Sequence, residues 1–212
     1  MNDFNFDTNF NFELDDSKTD LHFKNKHESS QNIIDFTNVS YCNDLMKFQI
    51  IRDLNFKIPL SGENLFLITT KAISLLDVVN FMENEIGEIS DITIFLYTLN
   101  NKAAKYTINL AHRIKTNIII SDIMNSKKDK KRMITRLFDE ANVEIVFCHN
   151  HAKIVAFRIN ENYYTLIGSM NVGTNARIEN LNIINSKEMY NFIIETFNVM
   201  KEKFSIKKRY EV

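Results

Sequence analysis

The 212-residue chain carries one proline, four glycines and two cysteines. Two cysteines cannot build the disulfide framework of a small secreted domain. Cys42 falls in a weakly patterned stretch and Cys148 in an apolar one, so both read as reduced thiols. The formal net charge is −1, which leaves out a global basic signature for nucleic acid. No apolar run approaches the roughly 20 residues of a membrane span. The N-terminus has no basic stretch leading into an apolar one, so no secretory signal is expected. The expectation is a soluble, cytoplasmic protein with no membrane contact. The shortage of glycine and proline is matched by abundant asparagine and isoleucine, a bias an AT-rich genome would produce.

What is present suits a globular domain. Hydrophobic residues make up 44% and charged residues 25%, enough for a core of normal size. The length fits one domain with an extension. Charge is uneven: residues 1–60 hold 6 Lys and Arg against 10 Asp and Glu, and the remainder 20 against 17. An acidic N-terminal segment thus precedes a mildly basic body. Residues 1–30 are low in complexity, with phenylalanines among asparagines and acids, and read as a disordered acidic tail. The same phenylalanines could instead anchor the tail on a protein partner. Residues 31–60 read as a partly helical extension, with "NDLMKFQIIRDL" the helical stretch. The domain proper is expected over 61–212.

Within it, "NLFLITT", "DITIFLYTL" and "TNIIISDI" read as strands, the last two buried. "SLLDVVNFMENEI" has helical spacing, and Gly87 follows as a stop signal. "NKAAKYTINLAHRI" and the basic "KKDKKRMITRLFDEA" read as helices. "VEIVFC", "HAKIVAFRI", "YYTLIGSM" and "ENLNIINS" follow as strands, and "KEMYNFIIETFNVMKEKF" as a closing helix. This order predicts an α/β or α+β layered domain, the former preferred, with a mixed sheet between helices.

The chemistry concentrates in "FCHNHAKIVAFRINENYYTLIGSMN". Side chains alternate along a strand, so His151 and Lys153 share one face. A turn at 159–162 would bring Gly168, Ser169 and Asn171 back beside them. Gly168 would let backbone approach a ligand closely. An imidazole, an ammonium and a carboxamide then converge, a set suited to a phosphate.

These residues resemble the phospholipase D superfamily. Its hallmark, His-x-Lys on one strand and Gly-Ser-x-Asn on the next, matches "HAK" (151–153) and "GSMN" (168–171). "NARIEN" (175–180) continues the likeness and places Glu179 where the family often carries a glutamate. The likeness spans about 61–205 and is nearest to small single-motif members of bacteria and mobile elements. It implies a phospholipase D-like fold and phosphodiester hydrolysis with no metal and no cofactor. One histidine attacks phosphorus to form a phosphohistidine, and a second protonates the leaving oxygen. On this chain the resemblance makes His151 the nucleophile or acid, Lys153 and Asn171 phosphate clamps, and Glu179 the group orienting the imidazole. Ser169 would donate a further hydrogen bond. The chain holds one complete motif, since "HFK" (22–24) has no Gly-Ser-x-Asn after it. The second histidine is therefore expected from a second copy, in a homodimer with the site on its two-fold axis. Where the usual motif has an aspartate five positions after the lysine, this chain has Arg158.

Further residues carry a structural reading and a functional one. His149 either bonds the strand edge or adds an imidazole to the site. His112 reads as a helix-surface residue. Lys127, Lys128, Lys130, Lys131 and Arg132 are either a solvated helix start or contacts to a nucleic-acid backbone. Arg158 and Arg177 are either ion pairs or phosphate ligands. The leading expectation is a nuclease acting on DNA ahead of RNA. The alternatives are an inactive nucleic-acid-binding descendant, a phage or plasmid interaction protein, and a phospholipid hydrolase.

Overall fold

The computed structural model describes residues 46–54, 56–126, 142–171 and 178–204. The expected acidic tail, Cys42, the basic helix with Lys127, Lys128, Lys130, Lys131 and Arg132, and Arg177 lie outside the described residues. So does the basic stretch 207–210.

The strands form where β-branched and aromatic residues cluster. Strand β1 is Asn64–Thr69, β2 Ile89–Leu96, β3 Lys115–Ser121, β4 Val143–Cys148, β5 Ile154–Ile159, β6 Asn162–Gly168 and β7 Glu179–Asn185. In β2 and β3 the last five residues are all buried, which is why they read as continuous apolar runs rather than alternating ones. Among the described residues the sheet order is β1-β7-β6-β5-β2-β3-β4. Strands β2, β3 and β4 are parallel, and every other pairing is antiparallel. The expected mixed sheet between helices is therefore what forms.

Four helices flank the sheet among the described residues: α1 over 46–53, α2 Leu75–Ile86, α3 Asn101–Ala111 and α4 Lys187–Phe204. Helix α2 starts in a capping box. The Asp77 N–H donates to Ser74 Oγ at 3.2 Å, and the Ser74 N–H to Asp77 Oδ2 at 2.8 Å. It stops at Gly87, whose φ of 135° disfavours any residue with a Cβ. One core packs Leu75, Val79 and Met82 of α2 and Phe48 and Ile51 of α1 against Ile92, Ile94, Phe157 and Leu166 of the sheet. On the other face Tyr190, Ile193 and Phe197 of α4 cover Phe95, Ile119, Val146 and Ala156. Residues 46–60, read from sequence as extension, thus contribute to the main core: Phe48 and Phe56 both meet the Phe81 ring edge-on.

Arg158 is part of this framework. It sits on β5 opposite Asp91 of β2, with Nε 3.1 Å from Asp91 Oδ2 and 3.0 Å from Ser90 Oγ. The Tyr190 hydroxyl donates to the other oxygen of Asp91. An ion pair is thus what Arg158 forms. Four residues of β5 lie between it and Lys153, a separation of about 17 Å. Burial first, and then the bond to Asp91, push the Tyr190 phenol far above its usual range. The folded protein therefore holds that proton more tightly than the unfolded chain. The associated stability is complete below about pH 10, where unfolded tyrosine titrates, and is lost as pH rises further. Tyr190→Phe should lower the unfolding free energy by about 1–2 kcal/mol at pH 7. The deficit relative to wild type should shrink above about pH 10. Urea denaturation at pH 7 and pH 11 measures both, and a variant as stable as wild type at pH 7 would rule the network out as a stabiliser.

Candidate active site at the sheet edge

The topology brings several strand ends to one edge. The C-terminal ends of β2, β3, β4 and β6 lie beside the N-terminal ends of β5 and β7. Ligands bind preferentially at this edge of parallel strands. A cleft of about 880 Å³ opens there, lined by Tyr97, His151, Lys153, Ser169, Asn171 and Glu179 among others. The β5–β6 pairing thus joins the two motifs, His151 and Lys153 coming from one and Ser169 and Asn171 from the other.

His151 and Lys153 precede β5 rather than lying in it. The reason is Asn150. Its side-chain amide donates to the Leu96 carbonyl at 2.8 Å, and its Oδ1 accepts from the Ala152 N–H at 3.0 Å. These local bonds satisfy backbone groups that a ladder would otherwise use. The strict alternation expected for "HAK" therefore does not apply, yet both side chains still reach the cleft. Lys153 Nζ donates to the His151 carbonyl at 3.0 Å and stands 3.5 Å from His151 Nδ1.

Across the cleft, Met170 is buried in the core while Ser169 is exposed. This alternation turns Ser169 and Asn171 toward the cleft, and the Asn171 carbonyl is held by the Leu75 N–H at 3.1 Å. The Ser169 N–H donates to the Asn180 carbonyl at 3.1 Å, and the Asn180 N–H to Ser169 Oγ at 3.0 Å. The Ser169 hydroxyl donates to the buried carboxylate of Glu179. Glu179 is therefore bonded to Ser169, and among the described residues no carboxylate lies within ion-pair distance of His151. Gly168 lines the cleft through its backbone and also abuts β7. A Cβ there would stand 2.1 Å from the Asn180 carbonyl oxygen, so the close approach it permits is that of β7.

His149 does not line the cleft. Its Nδ1 lies 3.0 Å from Asp122 Oδ2, across the ends of β3 and β4. Cys148 beside it is a free, buried thiol, raised above its usual pKa by burial and then by Asp122. His112 closes α3, its N–H bonded to the Ile108 carbonyl.

Two residues of the site were not singled out from sequence. Tyr97 follows the last residue of β2 and packs its ring on the His151 imidazole, with centroids 4.6 Å apart. Asn150 anchors the histidine segment. An aromatic at the end of a buried strand hints at the first, whereas nothing in "CHNH" separates Asn150 from any loop asparagine.

This architecture, with its cleft at the strand ends, is a phospholipase D-like fold. No protein-family model matches the chain, and no curated protein matches it in sequence. The likeness is to solved structures. The phospholipase D family member Nuc from Salmonella typhimurium superposes with a TM-score of 0.51 at 15% identity, over 66% of this chain and 95% of that one. Polyphosphate kinase from Porphyromonas gingivalis superposes with a TM-score of 0.51 at 12% identity, over 66% of this chain and 26% of that one. At such identities the likeness concerns the fold alone. Among the described residues no helix is long and apolar enough to cross a membrane.

Proposed function

We propose that this protein hydrolyses phosphodiester bonds in nucleic acid, DNA ahead of RNA, as a homodimer and without a metal ion. The observation that carries the reading is the meeting of His151, Lys153, Ser169 and Asn171 in one open cleft. His151 attacks phosphorus, and the bond from phosphorus to the leaving oxygen breaks. The leaving oxygen takes a proton from the His151 imidazolium of a second copy. That imidazole, now neutral, accepts a proton from water as the water attacks phosphorus and the phosphorus–nitrogen bond breaks. Lys153 and Asn171 hold the nonbridging oxygens, where charge accumulates in the transition state. Glu179 fixes the Ser169 hydroxyl and so the shape of the cleft wall. Lys130, Lys131, Arg177 and His149 would meet flanking phosphates, and the 1–30 tail would dock a protein partner.

Arg158 in place of the usual aspartate does not count against hydrolysis. Its departure from the usual aspartate removes no group from the cleft, because that position serves the Asp91 ion pair. Incubating the protein with labelled plasmid DNA in excess chelator tests the proposal. Cleavage should persist, and the protein should sediment with twice the chain mass. Salt-sensitive DNA binding with no cleavage would replace hydrolysis with a binding function, and cleavage lost on chelation would refute the metal-free chemistry.

A further inference from the structure

We propose that Tyr97 is a positioning residue that holds the His151 imidazole in its reactive orientation. The proposal rests on the phosphodiesterase reading above. His151 is exposed and lies in an irregular segment, so its backbone alone leaves the ring free to turn. The ring of Tyr97 lies 4.6 Å from the imidazole, tilted by 50°. Lys153 Nζ stands 5.9 Å from the centre of the same tyrosine ring. One aromatic ring therefore packs on the imidazole and lies near the ammonium, the two groups that would act on a phosphate.

Tyr97 is itself well fixed. It follows β2, whose Leu96 is buried and whose carbonyl takes the Asn150 amide. Residue 97 thus leaves the sheet beside the segment that carries His151, and the two rings meet through backbone held on both sides. The usual device for fixing an imidazole is a carboxylate on its other nitrogen. Among the described residues none is within ion-pair distance, and Glu179 is bonded to Ser169. Ring packing supplies the missing restraint, biasing the imidazole rotamer by up to about tenfold. A nearby aromatic face also favours a cation beside it, which suits both Lys153 and the imidazolium. The contact uses the ring and not the hydroxyl.

Three variants test this: Tyr97→Phe, Tyr97→Leu and, should the leucine protein fold poorly, Tyr97→Met. With a DNA substrate, Tyr97→Phe should keep kcat within about twofold, while Tyr97→Leu or Tyr97→Met should lower kcat about 5- to 10-fold with KM changed less than about threefold. The second readout is independent of activity. In histidine-labelled protein, the His151 ring-proton resonances, assigned by their loss in His151→Asn, should stay in place in Tyr97→Phe. They should lose their ring-current displacement in Tyr97→Leu or Tyr97→Met. Unmoved resonances in folded Tyr97→Leu or Tyr97→Met would overturn the proposal, as would a Tyr97→Phe protein as impaired as the aliphatic ones. If the wild type cleaves no phosphodiester, the functional reading fails while the resonances still decide whether Tyr97 holds the ring.

Discussion

His151→Ala should lower phosphodiester cleavage by about 10³-fold or more, because in the proposed mechanism it removes the attacking nitrogen and the proton carrier at once. The same protein should fold normally. His151 is exposed and fills no part of either core, so its loss should change the unfolding free energy by about 0.5 kcal/mol or less. DNA binding should also survive, since the positive charge of Lys153 and the amide of Asn171 remain. Initial rates of plasmid nicking, a urea titration and a filter-binding isotherm together separate these effects. A His151→Ala protein that cleaves at a rate near wild type would remove the nucleophile from the mechanism. In the proposed mechanism each site uses both copies of His151. Mixed dimers of wild type and His151→Ala should therefore be as inactive as the pure variant, although they carry one intact imidazole.

Gly168→Ala should destabilise the fold and disable the site together. The new Cβ would lie 2.1 Å from Asn180 O, 2.9 Å from Asn180 C and 3.0 Å from Leu181 Cα. All three are backbone atoms of β7, so no side chain can swing aside. The strands must part where Gly168 pairs with Leu181. Parting them breaks the Ser169–Asn180 backbone bond and draws the Ser169 hydroxyl away from Glu179. Overpacking of this kind costs about 2–4 kcal/mol once the lost hydrogen bonds are included. The urea midpoint should fall with an unchanged slope, and cleavage should drop by about tenfold or more at temperatures where the variant is still folded. A Gly168→Ala protein with wild-type stability would mean that β6 and β7 do not meet this closely.

The framework and the site differ in how far each was legible. Strands β2 and β3 were readable because both their faces are buried, which forces unbroken Ile, Phe and Leu runs. Helix α2 was readable because its apolar spacing ends at a glycine that only a stop position explains. The pairing of "HAK" with "GSMN" was foreseeable from the hairpin between them. The detailed form of that pairing was not. "HAK" looks like the start of a strand, and it is Asn150, bonding to Leu96 far along the chain, that delays the strand to Ile154. Arg158 looked equally suited to a phosphate or a carboxylate until β2 set Asp91 opposite it.

Residue order alone determined which chemical groups this protein possesses and which segments bury their side chains, because periodicity and composition act over a few neighbouring residues. Only the tertiary structure decided which groups meet. Glu179 bonds Ser169, Tyr97 packs on His151, and Gly168 makes room for β7, each contact made between different strands or strand ends. Such contacts depend on the strand order and register of the whole sheet, and no local pattern encodes either.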